Sequence, residues 1–281
     1  MLYIVGTPIG NPGDLSPRAK EVLESVEFIA CEDTRETGLL LKAFGIRTKL
    51  FSYHEHNRVS REAMIMENLK DGKKIALVSD AGMPCISDPG EQLVRRCASE
   101  NIPVTTVPGP TALASALALS GMDTRRFIFE GFIPSEGKER KERLSAVNAS
   151  KLTTVMYEAP HRLIKTLDEM KMLGMGTRMI VFCRELTKKY EQVVRLSVDE
   201  ALEYYVRQAP KGEFVLVVEG ATEVSEAFTD SDLDEKILAL AKDGYTTKEI
   251  AALLSAETGK AKNIIYSKAL MVLKYRKEQP E

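Results

Sequence analysis

The sequence predicts an α/β protein with two α/β domains and a small helical module at the carboxyl end. In the first part of the chain, short β-branched runs alternate with amphipathic stretches, which is typical of a mostly parallel, doubly wound sheet. Further on, the strand-like runs follow one another more closely, and "EQVVRLS" comes soon after "IVFCREL". This spacing favours a mixed sheet. Beyond an acidic linker the apolar pattern is helical only.

The first domain, residues 1–115, should contain five strands with helices between them. The predicted strands are "LYIV", "EFIAC", "KLFSY", "KIALV" and "PVTTV". The predicted helices are "SPRAKEVLESV", "RETGLLLKAFG", "SREAMIMENLKDG" and "GEQLVRRCASE". Ser16 followed by Pro17 is typical of a capped helix start, while Gly45 and Gly72 stand where helices should end.

The second domain, residues 116–222, is predicted to hold the mixed sheet. The pattern changes from about "RRFIFEGF". The predicted strands are "TTVMYEA", "RMIVFCREL", "EQVVRLS" and "GEFVLVVEG", and the predicted helices are "HRLIKTLDEMKML" and "SVDEALEYYVRQ". The charged segment "PSEGKERKERL" is interpreted as a loop that enters a helix with a solvated face, rather than as a binding arm.

A linker at residues 223–231 should lead into a helical module at residues 232–281. Thr246 and Glu249 form a predicted capping box at the start of its second helix. Two short helices followed by a third resemble a helix-turn-helix unit. The residues expected to be buried in it are Leu233, Ile237, Leu240, Ala241, Ile250, Leu253, Leu254, Ile265, Ala269, Val272 and Leu273.

The third helix of this module carries a basic stripe. Between Gly259 and Lys277 there are six cations and no acid: Lys260, Lys262, Lys268, Lys274, Arg276 and Lys277. Such a stripe is typical of a nucleic-acid contact. A protein-docking module explains it equally well, and both alternatives stay open.

The bulk composition is that of an ordinary globular protein, with 44% apolar residues, 28% charged residues and a net charge of −2. The four cysteines have no C-x-x-C spacing, which argues against a zinc knuckle or a redox pair. Cys31 and Cys183 stand in apolar runs and are expected to be buried thiols. Neither a signal peptide nor a membrane span is expected. A reduced, cytoplasmic enzyme or binding protein is the prediction.

Two loops that follow predicted strands carry glycine and proline but do not match a phosphate site. They are "VGTPIGNPGD" and "SDAGMPCISDPG". Neither contains G-x-G-x-x-G or G-K-[ST], and their prolines lack the backbone N–H that a phosphate cradle needs. Asp80 and Asp88 would repel a pyrophosphate. The loops therefore suit a neutral or cationic ligand with a flat apolar ring, and S-adenosylmethionine is such a ligand.

A third loop, "VPGPTALASALALSG", also ends a strand and begins a helix, for which Thr111 is a candidate cap. Taken singly, each loop is more simply explained as a turn. Three loops at the carboxyl ends of strands in one α/β sheet nevertheless converge on the crevice where such folds bind ligands. Their convergence favours a binding site.

The ordered motifs "VGTPIGN", "DAGMPCISDPG", "PGPTALASAL", "EGFIP", "YEAPHR" and "GEFVLVVEG" resemble the tetrapyrrole methylase superfamily of S-adenosylmethionine-dependent enzymes. More narrowly, "ACEDTR", "HEHN", "RELTKKYE" and the helical tail are similar to the branch that methylates small-subunit ribosomal RNA. The resemblance implies two α/β domains with the methyl donor between them and a homodimer. It also implies 2′-O-methylation of a decoding-centre cytidine in 16S rRNA, with the small ribosomal subunit as partner.

The resemblance also implies which residues bind the donor. They are Ile9, Asp80, Met83, Thr111, Ala112, Tyr157 and Phe214. Met83 departs from the family pattern, which has Thr at this position, so a polar contact there is in doubt. Ser87 and Asp88 are expected either to contact the donor or to hold the second loop together as a turn.

Arg35, Glu185 and Lys188 are the candidate catalytic residues. Arg35 in "ACEDTRETG" could orient neighbouring carboxylates or bind an RNA phosphate, and Glu32 beside it is expected to cap a helix. Glu185 and Lys188 follow the strand "IVFC", where a carboxylate beside a lysine could tune a base. A surface ion pair is the simpler interpretation, and the resemblance does not decide which group is the base.

His54, His56 and His161 could bind zinc only if the fold brought them together. The resemblance implies no metal, and a hydrogen-bonded structural role is the preferred interpretation. Two other functions stay open: a methyltransferase acting on a tetrapyrrole or corrin precursor, and a non-catalytic regulator that senses S-adenosylmethionine and binds nucleic acid through the tail. The basic tail favours RNA over the macrocycle.

Overall fold

The computed structural model describes residues 1–54, 57–221, 230–242, 244–258 and 262–278. The chain divides into two compact units, Met1–Ala221 and Thr222–Glu281. His56, Lys260 and most of the expected linker at 223–231 lie outside the described residues.

The first sheet of the larger unit has five parallel strands in the order β3-β2-β4-β1-β5. Its strands are β1 (Leu2–Val5), β2 (Phe28–Cys31), β3 (Lys49–Ser52), β4 (Ile75–Leu77) and β5 (Val104–Val107). The connecting helices are α1 (Pro17–Ser25), α2 (Thr34–Ala43), α3 (Arg58–Lys70) and α4 (Glu91–Ser99). The Ser16 hydroxyl accepts from the Ala19 N–H and caps α1 as expected.

Both faces of the first sheet are covered, since apolar clusters form on each side. One cluster joins β1, β2 and β4 to α3 and α4 through residues such as Ile65 and Leu93. The other packs the opposite faces of these strands on α1 and α2 through Leu23 and Leu41. A parallel sheet buried on both faces reads as continuous apolar runs, which is why its strands were visible in the sequence.

The second sheet of the same unit is mixed, with the order β6-β7-β10-β8-β9. Its strands are β6 (Phe127–Phe132), β7 (Thr153–Glu158), β8 (Met179–Arg184), β9 (Gln192–Ser197) and β10 (Phe214–Val218). Only β6 and β7 run parallel, and the other neighbours are antiparallel. The helices are α5 (Ala112–Ser120), α6 (Gly137–Ala149), α7 (Pro160–Met172) and α8 (Val198–Arg207).

The two faces of the second sheet have different partners. One face packs on α6, α7 and α8 through a large apolar cluster. The other face meets Ala116 and Leu117 of α5 together with Ile9 from the loop after β1. The first sheet's loops are therefore seated directly on the second sheet. Cys31, Cys97 and Cys183 are buried free thiols.

The carboxyl-terminal unit consists of α9 (Asp230–Lys242), α10 (Thr247–Thr258) and α11 (Lys262–Glu278) around a small apolar core. The predicted capping box is present: the Thr246 N–H donates to Glu249 Oε2, and the Glu249 N–H donates to Thr246 Oγ1. Leu253 was wrongly expected in the core; its side chain is exposed. Each of these three helices buries only a narrow stripe of its surface, and on α10 this stripe includes Leu254 rather than its neighbour Leu253.

The basic stripe of α11 is only partly a free cationic surface. Lys268 Nζ lies 3.3 Å from Asp234 Oδ1 of α9, and its side chain is largely covered. Lys262 and Lys274 are exposed. Among the helices that the structure describes, none is both long and apolar enough to cross a membrane.

Candidate active site

The three glycine- and proline-bearing loops meet at the carboxyl ends of β1, β4 and β5. We call them the first loop (residues 6–11), the second loop (78–90) and the third loop (108–111). Thr7 and Gly82 exchange two backbone hydrogen bonds of 2.9 and 3.1 Å, which join the first loop to the second. Gly6 and Gly109 bring the first and third loops into backbone contact, since a Cβ at Gly6 would lie 2.7 Å from Gly109 Cα.

The second loop has an unusual backbone. Cys85 and Ser87 have φ angles of 69° and 63°, a region that side chains other than glycine rarely adopt. Gly90 closes the loop at a φ of 132°, where a Cβ would lie 2.6 Å from Cys85 Sγ. A Cβ at Gly131 of β6 would lie 2.8 Å from Ser87 Oγ. The loop is thus held tightly between β4 and the second sheet.

These loops and the second sheet enclose a cavity of about 490 Å³. All seven residues predicted to bind the donor line it: Ile9, Asp80, Met83, Thr111, Ala112, Tyr157 and Phe214. Thr111 also caps α5, because its hydroxyl accepts from the Ala114 N–H at 3.1 Å. The structure therefore brings together residues that are more than 200 positions apart in the sequence.

Much of the cavity wall is apolar. Tyr157 has its ring centroid 5.3 Å from that of Phe132 and 5.1 Å from that of Phe129. Ile86, Leu113 and Leu186 also line the cavity. None of Phe132, Ile86, Leu113 and Leu186 was singled out from the sequence, because apolar residues in loops and at strand ends carry no local signal of a site.

Five carboxylates line the cavity, and none of the described lining residues is Lys or Arg; the acids are Glu32, Asp80, Asp88, Glu158 and Glu213. Asp80 Oδ1 accepts from the Asp33 N–H at 3.0 Å. Burial, together with the charges of Glu32 and Asp80, raises the pKa of Asp88 to about 6. Burial and the charge of Asp80 also raise the pKa of Glu32. The cavity thus favours cationic or neutral ligands over anions.

Glu32 does not cap α2, contrary to expectation. The cap is Asp33, whose Oδ1 accepts from the Arg35 N–H at 2.7 Å. Asp33 has the backbone conformation of a helix cap, whereas Glu32 lies between β2 and this cap and lines the cavity.

Arg35 lies outside the cavity lining. Its guanidinium donates to both carboxylate oxygens of Asp33, at 3.1 and 2.6 Å, and its side chain is 87% exposed. Because Asp33 is bonded in turn to Asp80, Arg35 stands at the rim of the cavity. Its part in catalysis stays a prediction.

Glu185 and Lys188 form the expected ion pair, 3.2 Å apart, and neither lines the cavity. Lys188 also lies 3.0 Å from Glu213 Oε2, and its stem packs on Gly10 of the first loop. Burial acts against the charge on Glu185, but the Glu213 N–H and Lys188 outweigh it and lower the pKa of the carboxyl. Burial likewise opposes the charge on Lys188, yet its two acidic partners raise its pKa. Both groups are therefore held in their charged forms.

Glu158 is a further acid of the lining, but its charge is balanced. Its side chain is fully buried and lies 3.2 Å from Arg162 Nε, while Thr166 Oγ1 donates to it at 2.5 Å. The second hydrogen-bond partner of Thr166 is the buried Arg140. This network supports the floor of the cavity. No local pattern in the sequence indicates this network.

The two histidines that the structure describes, His54 and His161, belong to different elements. His54 Nε2 lies 3.1 Å from Asn57 Nδ2 in the loop before α3, and His161 belongs to α7. Among the described residues there is no group of three or more His, Cys, Asp or Glu side chains that could hold a metal ion.

Comparisons with known proteins agree with this architecture. The family model for Tetrapyrrole (Corrin/Porphyrin) Methylases matches residues 1–202. A curated protein of Synechocystis sp., "Ribosomal RNA small subunit methyltransferase I", is 44% identical over 96% of this chain and 97% of its own length. A protein of the same name from Escherichia coli O157:H7 is 42% identical over 96% of this chain and 94% of its own length.

Among solved structures, diphthine synthase superposes with a TM-score of 0.62 at 11% identity, covering 78% of this chain and 89% of that one. Cobalt precorrin-4 methyltransferase superposes with a TM-score of 0.57 at 18% identity, covering 77% of this chain and 93% of that one. At these identities the superpositions establish a common fold.

Proposed function

Because the chain belongs to the tetrapyrrole (corrin/porphyrin) methylase family and, within it, to the ribosomal RNA small subunit methyltransferase I family, we propose that it methylates 16S rRNA. The methyl donor is S-adenosylmethionine, and the acceptor is the ribose 2′-hydroxyl of a decoding-centre cytidine. The near full-length similarity to named rRNA methyltransferases carries this proposal.

The properties of the cavity fit the donor. S-adenosylmethionine carries a sulfonium and an ammonium, and the cavity lining contains five carboxylates with no described Lys or Arg. The adenine needs a flat apolar surface, which Ile9, Met83 and Tyr157 supply. Thr111, Ala112 and Phe214 complete the donor site. When bound, the donor supplies an activated methyl group with a good leaving group.

The protein's contribution is then mainly positioning. The hydrogen-bonded and closely packed glycine loops hold their backbone in place before any ligand arrives, which lowers the entropy cost of aligning donor and acceptor. Well-oriented reactants gain roughly 7–11 kcal/mol from such alignment. A rigid cavity built on two sheets is suited to this task.

Arg35, Glu185 and Lys188 act from the rim of the cavity. The exposed guanidinium of Arg35 binds an RNA phosphate while its pairing with Asp33 fixes its direction. Lys188 supplies a second fixed cation near the acceptor strand, and Glu185 positions it. The charged states of this pair suit electrostatic stabilisation better than proton transfer.

The acceptor is 16S rRNA within the small ribosomal subunit, the active species is a homodimer, and the location is the cytoplasm. The net charge of −2 provides no global attraction to RNA, so local cations must do this work.

The test is transfer of labelled methyl from S-adenosylmethionine to small subunits purified from cells that lack this gene, followed by mapping of the labelled nucleotide. A single 2′-O-methylcytidine in the decoding region supports the proposal. Label on a base, or on another nucleotide, contradicts the ribose assignment. Donor binding without any RNA label would redirect the search to tetrapyrrole acceptors.

A further inference from the structure

A ribose hydroxyl is a weak nucleophile, so its methylation gains from a group that accepts its proton. The residues expected from the sequence to assist, Glu185 and Lys188, are held charged and lie outside the cavity lining. Lys188 has no free electron pair while it is protonated. The base must therefore be sought among the groups that face the cavity.

Most ionisable groups of the lining are unsuited to this task. Glu158 is paired with Arg162 and Thr166. Glu213 is paired with Lys188, and Asp80 accepts a hydrogen bond from the Asp33 backbone. Burial raises the pKa of Cys183 to about 11 and also raises that of Tyr157, so both stay protonated near neutral pH.

Asp88 and Glu32 remain, and neither makes a hydrogen bond or ion pair with another described residue. Asp88 is half-buried at the end of the second loop, between the left-handed Ser87 and the tightly packed Gly90. Strained backbone of this kind persists only where the surrounding structure enforces it, and it is concentrated at functional sites. The loop is pressed against Gly131 of the second sheet, so it cannot relax easily.

We propose that Asp88 is the general base that accepts the proton of the ribose 2′-hydroxyl during methyl transfer. This inference rests on the proposed function. As the new O–CH₃ bond forms, the methyl–sulfur bond of the donor breaks and its electron pair returns to sulfur. S-adenosylhomocysteine leaves, and the hydroxyl proton passes to the Asp88 carboxylate and then to water.

Burial, and then the groups that face Asp88, explain why this carboxylate is more basic than usual. Glu32, which directly follows β2, and Asp80 in the second loop are negative neighbours. Tyr157 of β7 and Cys85 of the same loop also face it and are neutral. With a pKa of about 6, Asp88 is mostly ionised at neutral pH yet binds a proton more strongly than an ordinary aspartate.

The experiment measures single-turnover methylation of small subunits between pH 5 and 8.5. For the wild type, the rate should rise with pH and level off above a midpoint near 6. Asp88→Asn should lower the plateau of the methylation rate by about 10²–10⁴-fold and remove the fall in rate at acidic pH. Its donor Kd should change far less than its rate. Glu32→Gln removes a negative neighbour and should move the midpoint to lower pH.

Glu91→Gln is the matched control, since this exposed acid three residues further on is paired with Arg95 and does not line the cavity. It should leave the profile unchanged. A readout independent of activity is the infrared difference titration of wild type against Asp88→Asn, which should show one carboxyl titrating near pH 6.

The inference is overturned if Asp88→Asn keeps both its methylation rate and the fall in rate at acidic pH. It is also overturned if this fall in rate disappears in Glu32→Gln but not in Asp88→Asn. If the wild type methylates no RNA, the proposed function fails and the inference fails with it. That outcome is distinguishable, because it is seen before any variant is made.

Discussion

Gly6 and Gly109 approach so closely that neither position has room for a side chain. A Cβ at Gly6 would lie 2.7 Å from Gly109 Cα, and a Cβ at Gly109 would lie 2.8 Å from Gly6 Cα. Both obstacles are backbone atoms, which cannot rotate away as a side chain can. The contact therefore fixes the distance between the first and third loops, and with it the width of the cavity.

Replacing Gly109 by Ala should separate these two loops. We expect donor affinity to fall at least about tenfold, because the same two loops carry Ile9 and Thr111, which line the cavity. Isothermal titration with S-adenosylmethionine measures this directly. Gly38→Ala is the matched control: its Cβ would meet only Leu50 at 3.6 Å, and alanine favours the helix. Equal donor affinity in the two variants would show that the loops tolerate separation.

Asp80→Ala should weaken donor binding by roughly 10- to 100-fold, the usual range for loss of a charged hydrogen-bond partner. Asp80 lines the cavity, and its carboxylate also fixes the Asp33 backbone and so the rim that carries Arg35. Asp71→Ala, at the end of α3, is a control acid outside the lining. An unchanged donor Kd for Asp80→Ala would mean that the donor lies elsewhere.

The fold could be predicted because its signals are local. Strands buried on both faces appear as continuous apolar runs, and helices begin and end at recognisable caps such as Ser16 and Thr111. Periodicity alone, however, cannot say how wide a buried stripe is. The helical pattern therefore placed both Leu253 and Leu254 in the core, although Leu253 is exposed and Leu254 is buried.

The cavity was predictable only in part. Its glycine loops follow strands of one sheet, so their convergence could be foreseen. Glu32 could not be distinguished from the cap residue Asp33 beside it, because that depends on the backbone angle at a single position. The proximity of Glu32 to Asp88 depends on tertiary packing of segments over 50 residues apart, which leaves no pattern in the sequence.

Arg140→Ala should lower the free energy of unfolding by about 2–4 kcal/mol, because a buried side chain and the hydrogen bonds that it donates are lost together. The Arg140 side chain is 2% exposed and donates to Glu169, Thr166 and the Pro134 carbonyl. Its loss leaves these acceptors unpaired beneath the cavity. Urea denaturation followed by circular dichroism tests this. Arg125→Ala is the control, because it removes an exposed ion pair with Asp123 and should leave the stability nearly unchanged. Equal effects of the two substitutions would contradict the argument.

Asp88→Asn should stabilise the protein above neutral pH. A carboxyl whose pKa is raised by folding binds more protons in the folded than in the unfolded state. Its presence therefore destabilises the fold progressively as the pH rises from about 4 to about 6, and the loss is complete above that. The amide has no charge to bury. We expect a gain of about 1 kcal/mol at pH 8, since solvent screens a half-buried carboxyl, and almost none at pH 4. Melting temperatures at both pH values measure it, and a gain that is the same at both would refute the explanation.

Substitutions in the basic stripe of the carboxyl-terminal unit can tell whether this surface contacts RNA or docks a protein. Lys262 and Lys274 are the exposed cations to change, because Lys268 is engaged with Asp234 and its loss would disturb the unit itself. If the stripe contacts phosphates, Lys262→Glu with Lys274→Glu should weaken small-subunit binding and reduce the slope of log K against log salt by up to about 2. Lys242→Glu on α9 serves as the control. Donor affinity should be unchanged in both. A double variant that keeps its RNA affinity and salt slope would leave protein docking as the explanation of the stripe.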